Sequence, residues 1–258
     1  MSYETLLFEV SEDIATITLN RPDVMNGLTT QMRADLMHAL DTASKDARAI
    51  VLTGAGKGFC SGQDLGDARH AGEINLEMTL RDEYEPLLQK IYTCPVPTIA
   101  AVNGPAAGAG ANLALAADVV IAAESAVFLQ AFARIGLIPD AGGTYWLPRS
   151  MGFAKAMGAA LFAEPITAKE AEAQGMIWEV LPDATFQEGV RARALKLAQG
   201  PTQAYKHIKT ALRASFENDL DTQLLLEAQL QGEAGKTRDF TEGVMAFLQK
   251  RPAKYEGR

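Results

Sequence analysis

Cysteine is nearly missing from this chain: Cys60 and Cys94 are the two in 258 residues. So sparse a pair argues against a disulfide framework and fits a reducing cytoplasm. Histidine is as scarce. His38, His70 and His207 lie far apart with no metal-ligand spacing, so each reads as a surface or satisfied histidine and no metal is implied. Basic charge is short as well, with 24 Lys and Arg against 32 Asp and Glu and no Lys/Arg-rich run. That balance argues against nucleic acid or an anionic membrane as the main partner, while leaving room for a local anion site. Long hydrophobic runs are missing too. The longest apolar region, Thr98–Ala123, is interrupted by Asn103, Pro105, Asn112 and Asp118, and reads as core, not as a membrane span. The opening MSYETLLFEVSEDIATI has acidic residues and no basic n-region, which does not fit a signal peptide.

What remains is ordinary globular material, 48% hydrophobic and 22% charged. Leu6–Val10 and Ile14–Leu19 read as two strands, Asn20–Gly27 as a loop, Thr30 to Ser44 as a helix and Ala49–Thr53 as a buried strand. Leu76–Thr93 is expected to be one helix. Thr98–Val102 is the next strand, followed by the bare turn Pro105-Ala-Ala-Gly-Ala-Gly110 and a short helix over Ala111–Asp118. Without Cβ groups such a turn lets another molecule approach the backbone, and its free N–H groups can hold a phosphate or a developing oxyanion. Val119–Ala122 and Met176–Leu181 read as further strands. From Met151 onward the pattern is mostly helical, and the composition shift near Pro182 divides the chain into an α/β core, 1–182, and a helical region, 183–258.

The other backbone-rich loop, Gly54-Ala-Gly-Lys-Gly-Phe-Cys-Ser-Gly-Gln-Asp-Leu65, has a superficial likeness to a phosphate loop. Gly58 follows Lys57, so the magnesium-holding hydroxyl is missing. A dinucleotide fingerprint starting at Gly108 would need a small residue where Leu113 stands. No G-x-S-x-G elbow is present. No cofactor is implied.

Leu52–Leu65 and Ala101–Gly110 resemble the paired oxyanion loops of the crotonase (enoyl-CoA hydratase/isomerase) family, and Asn20-Arg-Pro and Glu242–Arg251 also fit it. The resemblance implies an α/β spiral of β-β-α units, a C-terminal helical trimerisation region, and an acyl-CoA thioester ligand. It also implies homotrimers or dimers of trimers. By position, the backbone N–H groups of Gln63 and Ala109 would form the oxyanion hole beside Gly108. Val24, Met25, Asn26, Ser61, Asp64 and Leu65 would line the CoA path, and Phe247 and Lys250 of a neighbouring subunit would approach its nucleotide end.

Hydratases of the family use two glutamates, which would fall at Asn112 and Phe132 here. Neither residue ionises, so ordinary hydration is not expected. Asp140, in Ile138-Pro-Asp-Ala-Gly-Gly, resembles the single acid of the isomerase branch. Narrower motifs, among them Gly62-Gln-Asp-Leu and Gly136-Leu-Ile-Pro-Asp, resemble the branch that isomerises ring epoxides in phenylacetate breakdown, which implies other enzymes of that pathway as partners. Apolar neighbours, Phe132, Ile138 and Trp146, would raise the Asp140 pKa. Read on its own, Asp140 is also a plausible N-cap for the following helix, and Asp64 a turn or cap residue.

Overall fold

The computed structural model describes residues 3–64 and 75–258. Strands β1 (Leu6–Ser11) and β2 (Ile14–Leu19) pair antiparallel with Ser11 opposite Ile14. The two-residue turn between them places Glu12 and Asp13 at φ 53 and 61, the left-handed geometry that matches strand twist in tight hairpins. Helix α1 (Thr30–Asp46) opens on Thr29, whose hydroxyl accepts the N–H of Met32, and it packs back onto β1 and β2. Strand β3 (Ala49–Gly54) then joins β2 in parallel, completing one β-β-α turn of the chain.

The predicted helix over 76–93 is interrupted. It runs as α2 (Leu76–Thr79), a wide π turn (Leu80–Tyr84) and α3 (Glu85–Tyr92). Pro86 brings no N–H to the ladder, and the N–H of Glu85 reaches back to Leu80 O instead, which opens the turn.

Strand β4 (Thr98–Val102) is buried at every position, as a central parallel strand covered on both faces must be. A two-residue strand, β5 (Ala106–Ala107), leads into α4 (Ala109–Leu115), two residues earlier than the composition suggested. Strand β6 (Val119–Ala123) returns beside β4, β7 (Val127–Leu129) follows, and a 3-10 turn spans Ala131–Ile135. Helices α5 (Gly143–Met151) and α6 (Phe153–Phe162), strand β8 (Ile166–Thr167), helix α7 (Ala168–Ala173) and strand β9 (Glu179–Leu181) complete the central part. The large sheet has the order β1-β2-β3-β4-β6-β9, and β5, β7 and β8 form a small second sheet that patterning did not anticipate.

Past a short 3-10 turn, α8 (Phe186–Ala198) buries Phe186, Val190, Ala194 and Ala198 against β2, β3 and β6. The helical region that follows Pro182 therefore begins packed against the core. Helix α9 (Thr202–Ala214) is bolted on by charge: Lys209 and Arg213 reach Asp118 at 2.7 and 2.6 Å, while Asp118 also accepts the backbone N–H and the hydroxyl of Thr98 at the start of β4. Helix α10 (Leu220–Ala234) buries none of its side chains, and α11 (Arg238–Leu248) buries only Asp239 and Ala246. Among the described residues no helix is long and apolar enough to cross a membrane.

Candidate functional site

The two Gly-rich loops meet at the ends of β3 and β4. Ala107 N–H donates to Cys60 O at 2.9 Å, and Cys60 pairs with Ala106 as an isolated parallel bridge. The approach is close enough to demand glycine. A Cβ on Gly110 would sit 2.4 Å from Cys60 O, and one on Gly62, at φ +90, would sit 2.8 Å from Ala107 O and 3.2 Å from Ala109 N.

Peptide planarity sets where the N–H groups point. Gly62 O accepts the N–H of Leu28 at 2.8 Å. In a trans peptide the following N–H points the opposite way, so Gln63 N–H faces away from Leu28. Gly108 O accepts Asn112 N–H inside the first turn of α4, which turns Ala109 N–H outward from the helix end. Among the described residues neither N–H has a protein acceptor. Both residues line one cavity of about 280 Å³, together with Ser61, Tyr84, Phe132 and Asp140.

Asp140 is the sole carboxylate among the described residues of that wall. One of its oxygens, Oδ1, is buried without a hydrogen-bond partner, and burial pushes its pKa up to about 6. An acid desolvated this way stays poised for proton exchange near neutral pH. It is not a helix cap: the cap of α5 is Gly142, and no side chain bonds there. The carboxyl is aimed by its own backbone. Asp140 O accepts from Gly143 N at 2.8 Å and from Asn112 Nδ2 at 2.7 Å, and Asn112 Oδ1 in turn accepts from Gln130 Nε2 at 2.8 Å. Asn112, fully buried, thus works as a strut. Phe132 is buried and its ring reaches the Gly108 corner of the cavity. Ile138 does not shield Asp140, being 76% exposed, because the chain turns outward there; Leu80 and Leu137 take the apolar role on the cavity wall. Trp146 lines a different, larger hollow of about 590 Å³ beside α9, which contains no part of either loop.

The expected CoA-path residues do not stay together. Val24, Met25 and Ser61 lie together: Ser61 N–H donates to Met25 O and its hydroxyl to Val24 O. Asn26 is instead fully buried, its Nδ2 donating to Ala55, Gly58 and Phe59 carbonyls and its Oδ1 accepting from Arg21 N–H, so it braces the loop and faces no cavity. Asp64 is held in an ion pair with Arg21 at 2.6 Å, a structural use that also explains the Asn20-Arg-Pro motif. Leu65 and His70 lie outside the described residues. Phe247, 81% exposed, and Lys250 sit at the far end of α11, and neither lines the cavity within one chain. His38 bonds Tyr3 through Nδ1 and His207 sits near Glu233, both away from the site. Among the described residues no cluster of His, Cys, Asp and Glu could hold a metal.

Residue patterning passed over a second set. Arg33, with a side chain 2% exposed, bonds Glu83, Tyr84 and Gln63 beneath the cavity. Its signal was present: Arg33 shares the buried face of α1 with Leu36 and Leu40, at i+3 and i+7.

Relatives with this architecture are close in both sequence and structure. A profile of the family described as Enoyl-CoA hydratase/isomerase matches residues 9–258. The chain is 62% identical, over 258 residues and the whole of both chains, to a probable enoyl-CoA hydratase of Rhodobacter capsulatus. It is 45% identical over 260 residues, 99% of each chain, to the 1,2-epoxyphenylacetyl-CoA isomerase of Escherichia coli. The crystal structure of an enoyl-CoA hydratase from Bacillus anthracis superposes with a TM-score of 0.91 at 33% identity, covering 99% of this chain and all of that one. The fold is crotonase-like, and the chain belongs to the enoyl-CoA hydratase/isomerase family, whose members act on CoA thioesters.

Proposed function

We propose that this protein is an acyl-CoA isomerase. The thioester oxygen sits between Gln63 N–H and Ala109 N–H, Asp140 removes the proton next to the thioester carbonyl, and the same carboxyl returns a proton further along the conjugated system. Two preorganised donors stabilise the enolate as it forms, each contributing roughly 3 kcal/mol by analogy with oxyanion-hole deletions. The observation that carries the reading is the Asp140 carboxylate, the one carboxylate among the described residues of a largely apolar cavity wall, desolvated and without a hydrogen-bond partner on Oδ1 among the described residues. No redox or metal step is needed, and CoA enters as part of the substrate.

The substrate we favour is ring 1,2-epoxyphenylacetyl-CoA, giving oxepin-CoA. The motif likeness to that branch and the 45% identity to an enzyme of that name support it. A linear 3-enoyl thioester needs the same proton shuttle and is the second substrate we assign. Hydration is the competing activity, favoured by the name of the 62% identical relative. Against it stand Asn112 and Phe132, which cannot deprotonate water. Offering ring-epoxide, 3-enoyl and crotonyl thioesters in parallel separates the three, with kcat/KM highest for the epoxide and lowest for crotonyl-CoA. Efficient 3-hydroxyacyl-CoA formation would overturn the isomerase reading.

We assign a trimer-based oligomer as well. The exposed apolar side chains of α9 to α11, among them Leu212, Leu220, Leu225 and Phe247, support it, because large apolar side chains left in water are what a neighbouring subunit covers. Sedimentation at the mass of a single chain would overturn that assignment.

A further inference from the structure

Gln63 is held through its two flanking peptides and through its side-chain oxygen. Leu28 takes both flanking peptides: its N–H donates to Gly62 O, and its carbonyl accepts from Asp64 N–H at 3.2 Å. The side chain is gripped separately. Gln63 Oε1 accepts from Tyr84 Oη at 2.5 Å and from Arg33 Nη1 at 3.0 Å. The grip has its own foundation. Arg33 Nε and Nη2 both reach Glu83 Oε2, at 2.8 and 2.6 Å, Nη1 donates to Leu28 O at 2.9 Å, and the guanidinium stands 4.7 Å from the Tyr84 ring centre. Tyr84 is 4% exposed and closes the π turn, with Leu80 at the other end of that turn also on the cavity wall. π turns recur where a helix must present side chains off the regular register. Here the wide turn brings Glu83 and Tyr84 to one arginine.

We propose that Arg33 and Tyr84 are positioning residues: they clamp the Gln63 carboxamide so that the Gln63 N–H keeps its aim at the thioester oxygen. Arg33 lies off the cavity wall, and Tyr84, though on that wall, spends its hydroxyl on Gln63 Oε1. Arg33 is neutralised locally by Glu83, so it contributes geometry and not net charge. The inference rests on the oxyanion reading given above. It makes a demand that a general stability role does not: the effect must pass through the Gln63 side chain.

The test is a double-mutant cycle of Tyr84→Phe and Gln63→Ala, with a chromophoric thioester, para-dimethylaminocinnamoyl-CoA, as the probe. Gln63→Ala retains the backbone N–H and loses only the gripped amide. In the wild type the probe absorption should shift to the red on binding, because the oxyanion donors would polarise its carbonyl. Each single variant should shrink that shift and lower kcat roughly tenfold with little change in KM, a fraction of the 10²–10³ lost when an oxyanion donor is removed outright. The double variant should be no worse than either single one. A wild-type red shift that persists unchanged in folded Tyr84→Phe overturns the clamp alone. Losses that multiply in the double variant also overturn it. Absence of any red shift in the wild type would remove the oxyanion reading itself, and the clamp with it.

Discussion

The two walls of the cavity are made differently. The wall carrying Gln63 and Ala109 is backbone, its N–H directions set by peptide planes and inter-loop hydrogen bonds. The wall carrying Asp140 is a side chain on a tight turn, with Ala141 at φ +48 and a buried amide, Asn112, bracing the carbonyl. Short of a proline, which carries no N–H, a substitution cannot delete a backbone donor and can only displace it. The carboxylate can be deleted without moving anything. The first wall should therefore fail through packing and the second through chemistry.

Displacement gives the largest effect. Gly62→Ala forces a Cβ to within 2.8 Å of Ala107 O at φ +90. We expect kcat to fall about 10²–10³-fold, as for loss of an oxyanion donor, along with about 1–3 kcal/mol of stability. Turnover and thermal denaturation of the purified variant check both.

Asp140→Asn should separate chemistry from packing. Turnover and exchange of the substrate α-proton with deuterated water should both fall roughly 10²-fold or more, while acyl-CoA still binds. Near-normal exchange in the folded variant would remove Asp140 as the base. Stability should move the other way. The folded-state pKa, about 6, lies above the usual carboxylate value of 3.8, so ionised Asp140 destabilises the fold above about pH 6 and costs nothing below about pH 4. The asparagine variant should gain on the order of 1 kcal/mol at pH 7, discounted for the partial exposure of the group, and nothing at pH 4.

The same titration sets a pH profile. Since the base acts ionised, kcat/KM should rise with pH through about 6 and level off above it. A flat profile from pH 5 to 7 would disconnect the rate from this carboxyl.

The smallest effect expected is that of Asn112→Asp, which replaces the donor to Asp140 O with a second acceptor. It should cost about 1–3 kcal/mol of stability, and a milder loss of turnover than Asp140→Asn, because the base is loosened and not removed. Isomerase assays run beside urea titrations would rank the two. Appearance of hydration in this variant would show Asn112 to be a lost acid site and not a strut.

The backbone wall was legible because glycine is conspicuous. Gly62, Gly108 and Gly110 stand in loops whose flanking strands, β3 and β4, are continuous apolar runs of strand length. Asp140 was legible through its likeness to the isomerase branch; by residue type alone the helix cap was the stronger reading, and that fell only when Gly142 proved to be the cap. The second sheet escaped notice because β5 and β8 have two residues each, too few for any period to register. The Arg33 network was hidden by habit: an arginine in an amphipathic helix is ordinarily solvent-facing, and only burial reveals the reverse. Asn26 misled in the same manner, since a loop asparagine can spend its amide on backbone groups of its own loops instead of on a ligand.

A cavity with one carboxylate among its described residues has a handedness. On the proposed reading a thioester enolate is planar with its oxygen held at the Gln63 and Ala109 corner of the cavity, so Asp140 would address only one of its two faces. Removal and return by that single carboxyl are then confined to the same side of the substrate. Deuterium lifted from the α-carbon should reappear in part at the distal carbon of the product, in one configuration, because a carboxyl shielded from water on Oδ1 returns its isotope before the solvent can wash it out.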